Sequence, residues 1–181
     1  MIIIIVVALL LLLVVWFIST YNNLVKTEEF VNNAKGQIAV QIESRWDALT
    51  NMIQAAKKYS EYEANTLKEV IDSRSKVTSD TSVSVMEAQE GMQERLLDRL
   101  IAISEACPEL KADGLYNKAM DNVKGFENNV RLARMTYNDT VTKYNRLCKT
   151  IPSGFVASAT GRTPMDYFEV SNVNKNEMPG W

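Results

Sequence analysis

Few residues in this chain could do chemistry, and their types narrow what it could be. No histidine occurs among the 181 residues, which removes the commonest general base and the commonest metal ligand. Glu61 and Glu63 resemble paired carboxylates, but two residues apart on a helix they point to different sides. Asp47 beside Trp46 stands alone. There is no glycine-rich phosphate loop, no cluster with metal-ligand spacing and no nucleophile–base pair. The expectation is a protein without catalytic activity, cofactor or metal. An enzyme here would have to work with Asp, Glu, Lys or Tyr alone.

What remains suits recognition or packing. Tyr137-Asn138 and Tyr144-Asn145 are seven residues apart, two turns along one helix face. Their hydroxyls and amides could bind a partner. They could equally serve packing, with the rings in a seam and the hydroxyls at its rim. Packing is favoured, because Tyr137 and Tyr144 fall on an apolar stripe. Asn138 and Asn145 lie just off it and are candidates for interhelix polar contacts. Arg134 sits three residues before Tyr137 and four before Asn138. A partner across the bundle, such as an acidic residue of the first helix, is expected in preference to a bound anion.

The elements that position these residues begin with seventeen consecutive apolar residues, Ile2 to Ile18. As a helix they span roughly 25 Å, a little short of the roughly 30 Å hydrocarbon core. Trp16 and Tyr21 sit where an interfacial aromatic belt would lie. A cleaved signal peptide is the alternative, but the n-region is only Met1 and Ser19-Thr20-Tyr21 is a poor cleavage site. A retained single-pass anchor over residues 1–20 is expected, with the lipid bilayer as a partner. Lys26 and Lys35 follow the span, so the soluble domain is expected on the cytoplasmic side. The net charge of −2 offers no footprint for nucleic acid.

Past the anchor, Val31, Ala34, Ile38, Ile42, Trp46, Leu49, Ile53, Ala56, Tyr59, Leu67, Val70 and Val77 recur in steps of three and four. This amphipathic periodicity predicts one unbroken helix to Val77, roughly 85 Å long beyond the membrane. Ser84-Val85-Met86-Glu87 reads as a capping box. It opens a second helix to about Ala106, with Val85, Gln89, Met92, Leu96, Leu100 and Ile103 on its inner face. Pro108 stops it. Asp113 is a plausible N-cap for a third helix. That helix carries the stripe Ala119, Val123, Phe126, Val130, Ala133, Tyr137, Val141, Tyr144 and Cys148 and ends before Pro152. The fold class is therefore all-α, a membrane helix continuing into an antiparallel, coiled-coil-like up-down bundle. Its parts are an anchor (1–20), a helical domain (21–151) and a tail (152–181). In the tail, Phe155, Val156, Tyr167 and Phe168 should anchor the chain up to about Val170. Cys107 and Cys148 fall at opposite ends of the third helix, roughly 50 Å apart, too far for a disulfide.

Several segments together resemble the LemA family. Tyr21-Asn22-Asn23-Leu24-Val25 is similar to its opening after the membrane segment. Gln37 to Ile42, then Arg45-Trp46-Asp47 and Asn51, resemble its long first helix, and Lys57, Tyr59 and Glu63 its next segment. Cys107-Pro108-Glu109-Leu110-Lys111-Ala112 is similar to its YPxLKA. Ala133 to Val141 with Tyr144-Asn145 is close to its ARxxYNDAVxxYN. Ile151-Pro152 and Tyr167-Phe168-Glu169 match elements of its tail. Three positions depart: Thr50 replaces a proline, Tyr62 a histidine and Cys107 a tyrosine. The resemblance implies a membrane-anchored helical domain without an established catalytic activity. It also implies a link to membrane organisation or membrane proteases, as for some relatives.

Helix lengths frame the functional expectation. A second helix of roughly 34 Å cannot cover an 85 Å partner. Val31, Ile38, Ile42 and Trp46 should then form an exposed apolar stripe near the membrane, and exposed patches of that size mark interfaces. The leading expectation is a self-associating scaffold, a homo-oligomer joined along that stripe. The alternative is an adaptor binding another membrane protein, such as a protease, through the same residues. A third arrangement folds the first helix back near Thr50 and buries the stripe within one chain.

Overall fold

A computed structural model describes residues 1–59, 61–72 and 74–169. The expectations for the chain from Val170 onward, and for the side chains of Glu61, Tyr62 and Glu63, lie outside what is described. Among the described residues the fold is all-α: α1 (Ile2–Ala56), α2 (Glu61–Asp72), α3 (Val83–Ala106), α4 (Pro108–Lys111), α5 (Gly114–Lys149) and α6 (Ser153–Ala159).

Helix α1 is continuous for 55 residues. The apolar run at its start is exposed along its whole length and long and apolar enough to cross a membrane. From Leu24 the helix turns amphipathic, and Leu24, Val31, Ile38, Ile42, Trp46, Leu49 and Met52 are fully or almost fully buried. Helix α1 ends at Ala56, not at Val77. The chain turns over Lys57–Tyr59, with the Tyr59 amide donating to the Ala56 carbonyl (2.9 Å). Helix α2 then returns along α1: Arg74 lies 3.9 Å from Glu43 and 3.8 Å from Asp47, and the Val77 amide donates to Glu43 Oε1 (2.8 Å). Periodicity hid this reversal, because Leu67 and Val77 of the expected stripe are buried, although Val70 is only half-buried and its neighbour Ile71 takes the core position. The sign of it was the lapse in apolar steps between Tyr59 and Leu67.

The reversal changes the length argument. From Tyr21 to Ala56 is 36 residues, and α5 is also 36 residues long. The two helices lie side by side and antiparallel over their full length. At the distal end the Tyr59 hydroxyl donates to Asp113 Oδ2 (3.1 Å). At the end nearer the apolar run Arg162, just past α6, donates to Glu28 (3.0 Å). Val31, Ile38, Ile42 and Trp46 therefore pack inside one chain, each at most 1% exposed. The expected exposed interface stripe does not exist; α5 of the same chain covers it, and α1 runs unbroken through Thr50, where a fold-back was the third expectation, reversing only after Ala56.

The remaining elements follow local rules. Asp113 caps α5, its Oδ1 accepting from the amides of Leu115 (2.8 Å) and Tyr116 (3.1 Å). The stripe expected on α5 is buried, with Phe126 and Cys148 half-buried. Helix α3 is capped by Ser82, two residues before the expected Ser84; the Ser82 hydroxyl accepts from Val85 N (3.4 Å). Its inner face carries Met86, while Val85 is exposed. The tail is part of the packed body, since Val156, Ala157 and Phe168 are core residues. Phe155 and Tyr167, also expected to anchor the tail, are exposed. Gly154 allows α6 to fold tightly onto α5, because a Cβ there would stand 2.9 Å from the Cys148 carbonyl oxygen. Gly161 closes α6 with φ +71°, a conformation that glycine adopts without strain. Cys107 and Cys148 are free thiols.

Candidate functional site

The Tyr-Asn pairs are a clamp for the tail. Asn138 Nδ2 donates to the Phe168 carbonyl and its Oδ1 accepts from the Phe168 amide, both at 3.0 Å. Asn145 does the same to Met165, both bonds at 2.8 Å. The spacing has a physical reason. Seven helical residues rise about 10.5 Å, and three extended residues span about 10 Å. Two amides one heptad apart on α5 thus meet the extended tail in register at residues 165 and 168. The tyrosines fill the seam beside them. Tyr137 donates to the Asp166 carbonyl (3.0 Å), and its ring meets Phe168 edge-on at 5.1 Å. Burial pushes the Tyr144 hydroxyl up to about 12, reinforced by Cys148, so both tyrosines stay neutral. The packing role expected of the tyrosines holds. The asparagines bind the chain's own backbone, not another helix.

Where the tail leaves this clamp it borders a cleft of about 520 Å³ between α1, α3 and α5. Its lining sets the charged side chains Arg45, Lys124, Arg131, Arg134, Glu90, Glu94, Glu127 and Glu169 among the apolar Val130, Met135 and Phe168. At its base, Arg134 pairs with Glu90 through two nitrogens and lies over the Phe168 ring at 5.3 Å. The partner of Arg134 does lie across the bundle, as expected, but on α3 and not on the first helix. Burial pushes the Glu90 carboxyl up to about 7, against the pull of Arg134 and Arg45.

Arg45 is the unusual member. It is 2% exposed, its nearest carboxylate is the exposed Glu127 at 3.9 Å, and its Nε has no hydrogen-bond partner. A buried cation with an unused donor is costly unless something completes it. Sequence reasoning passed over Arg45 and Glu90, although a signal was present. Ile38, Ile42, Arg45, Leu49, Met52 and Ala56 step by four, three, four, three and four, which puts Arg45 at a core position. Chemically, the cleft offers charge recognition by fixed guanidinium and carboxylate groups. Among the described residues no three His, Cys, Asp or Glu side chains gather as metal ligands would.

Tyr21 and Asn22 stand apart from the cleft, just past the apolar run of α1. Both are exposed, and Arg162 lies over the Tyr21 ring at 4.9 Å. The structure thus brings Arg134, Tyr137, Asn138, Tyr144 and Asn145 together along α5. Tyr21 and Asn22 are separate, and Val31, Ile38, Ile42 and Trp46 lie in the core.

These features define a helical domain carried on an apolar helix, with a tail clamped across its longest helix pair. A model of the LemA family matches residues 34–180. The match covers most of the chain, which belongs to that family. No curated protein matches it. Family membership and the apolar N-terminal helix fit a membrane-associated protein.

Proposed function

We propose that the protein is a single-pass, membrane-anchored adaptor without catalytic activity, and that its charged cleft receives part of another membrane protein. The observation that carries this reading is Arg45, almost wholly buried, lining the cleft, its Nε without a partner. Continuity of α1 supports it: one helix runs from the apolar segment to the cleft. Arg45 stands 27 residues beyond Ile18, which fixes the cleft roughly 40 Å above the end of the apolar run. A partner held at that height is best supplied by the same membrane. The cytoplasmic side is favoured by Lys26 and Lys35. The homo-oligomer reading rested on Val31, Ile38, Ile42 and Trp46, and their burial takes away its premise.

The test is photo-crosslinking in intact membranes from a reactive residue at Arg131, on the exposed rim of the cleft. The expected result is an adduct with a different membrane protein that disappears in Arg45→Met. The control site is Lys118, exposed on the distal part of α5, and it should give none. Adducts only between copies of this chain would return the scaffold reading. Equal yields from both sites would refute the cleft as a binding site.

A further inference from the structure

The membrane end of the domain carries a second apolar feature besides the anchor. Ile151 and Phe155, on either side of the start of α6, are 82% and 69% exposed. Past the apolar run they are the most exposed of the large hydrophobic residues described. The opposite side of α6, Val156 and Ala157, is buried in the core, so the helix is held in place while these two side chains are left in solvent.

Their height along the molecule is fixed. Ser153, between them, shares a surface hollow with Trp16, Ser19 and Thr20 of α1. The start of α6 is therefore level with the end of the apolar run at Ile18. That run spans roughly 25 Å as a helix, about 5 Å less than a hydrocarbon core. A bilayer centred on it extends towards Tyr21 and reaches the level of Ile151 and Phe155. The surrounding charge suits the same place. Lys26 is exposed on the wall of the hollow, and Arg146 and Lys149 are exposed on the last turn of α5. An aromatic and an aliphatic side chain beside long basic side chains are what an interfacial membrane contact requires.

We infer that Ile151 and Phe155 form a second membrane contact, inserted at the lipid headgroup boundary beside the anchor. The occupant of this surface is the bilayer itself. The contact would hold the domain upright by fixing α5 as well as α1 to the membrane. This rests on the anchor being retained in the membrane, so the test reads the two separately.

Full-length protein with Cys107→Ala and Cys148→Ala is labelled with an environment-sensitive fluorophore at Phe155→Cys, at Ile151→Cys or at the control position Leu132→Cys. It is reconstituted into phosphatidylcholine vesicles with no other protein, with and without lipids bearing a quencher near the headgroup. Carbonate-resistant sedimentation with the vesicles reports the anchor. The expected result is lipid quenching at least twofold stronger at 151 and 155 than at 132, with sedimentation intact and helical content unchanged. Sedimentation intact with equal quenching at all three positions overturns the second contact and leaves the anchor standing. Labels at 151 and 155 shielded only in native membranes would assign the surface to a protein and also overturn it. Loss of sedimentation overturns the anchor and the contact with it.

Discussion

Trp46→Ala separates a side chain that holds one chain together from one that joins two. Trp46 is fully buried, with the Arg74 guanidinium 5.8 Å from its ring centroid and Ile42 and Leu49 buried one turn to either side. A tryptophan side chain buries on the order of 200 Å², worth about 5 kcal/mol at roughly 25 cal/mol per Å². Large-to-small substitutions of buried aromatics cost about 3–5 kcal/mol. That is a large share of the roughly 5–15 kcal/mol by which a domain is stable. With a urea slope of about 2 kcal/mol/M, the midpoint should fall by roughly 2 M. The assay is urea unfolding of the detergent-solubilised full chain followed by helical circular dichroism, with the particle mass measured on the same samples. Trp46→Phe, which keeps most of the volume, should recover more than half of the loss. A midpoint within about 0.5 M of the parent, together with a smaller particle, would refute the reasoning, since Trp46 would then stabilise contacts between chains.

Two further predictions follow from the tail and the cleft. Asn138→Ala with Asn145→Ala removes four hydrogen bonds to the backbone of Met165 and Phe168, each worth roughly 1 kcal/mol net. Trypsin cleavage after Arg162 should accelerate at least tenfold while helical content is retained; an unchanged rate would mean the amides do not hold the tail. Glu90 has its carboxyl raised from 4.5 to about 7, chiefly by burial, so between those values the folded state binds more protons there than the unfolded state. Its contribution to stability is fully present below about 4.5 and is lost as the pH rises to about 7, on the order of 3 kcal/mol in all. Glu90→Gln should therefore flatten the fall in stability between pH 5 and pH 7 relative to the parent, and parallel curves would contradict a carboxyl raised by burial.

Much of this architecture was legible because one physical signal dominates it. The run from Ile2 to Ile18 has no polar residue to interrupt it, and the stripe on α5 keeps its step of three or four from Ala119 to Cys148. Asp113 was legible as a cap because a short carboxylate at a helix start has little else to bind. The reversal after Ala56 was not, because no glycine or proline marks it and Leu67, on α2, and Val77, just past it, are buried as members of a continuing stripe would be. That single misreading of length left Val31, Ile38, Ile42 and Trp46 apparently bare. The tail clamp was half legible. The heptad spacing of Asn138 and Asn145 was plain, but an extended strand as their target depends on where residues 165–168 return in space. The cleft escaped because Arg45 reads as a surface cation by type, while its position in the α1 stripe says core.

The measurement that tests the account most directly is the mass of the full-length chain in lipid nanodiscs, with the protein's N-terminal peptide identified on the same sample. One copy per disc, retaining Ile2–Ile18, is the expected result, because the α1 stripe is closed by α5 of the same chain. A homogeneous multimer that survives dilution would contradict it and restore the self-associating scaffold. A soluble chain beginning near Tyr21 would contradict the anchor on which the adaptor reading stands.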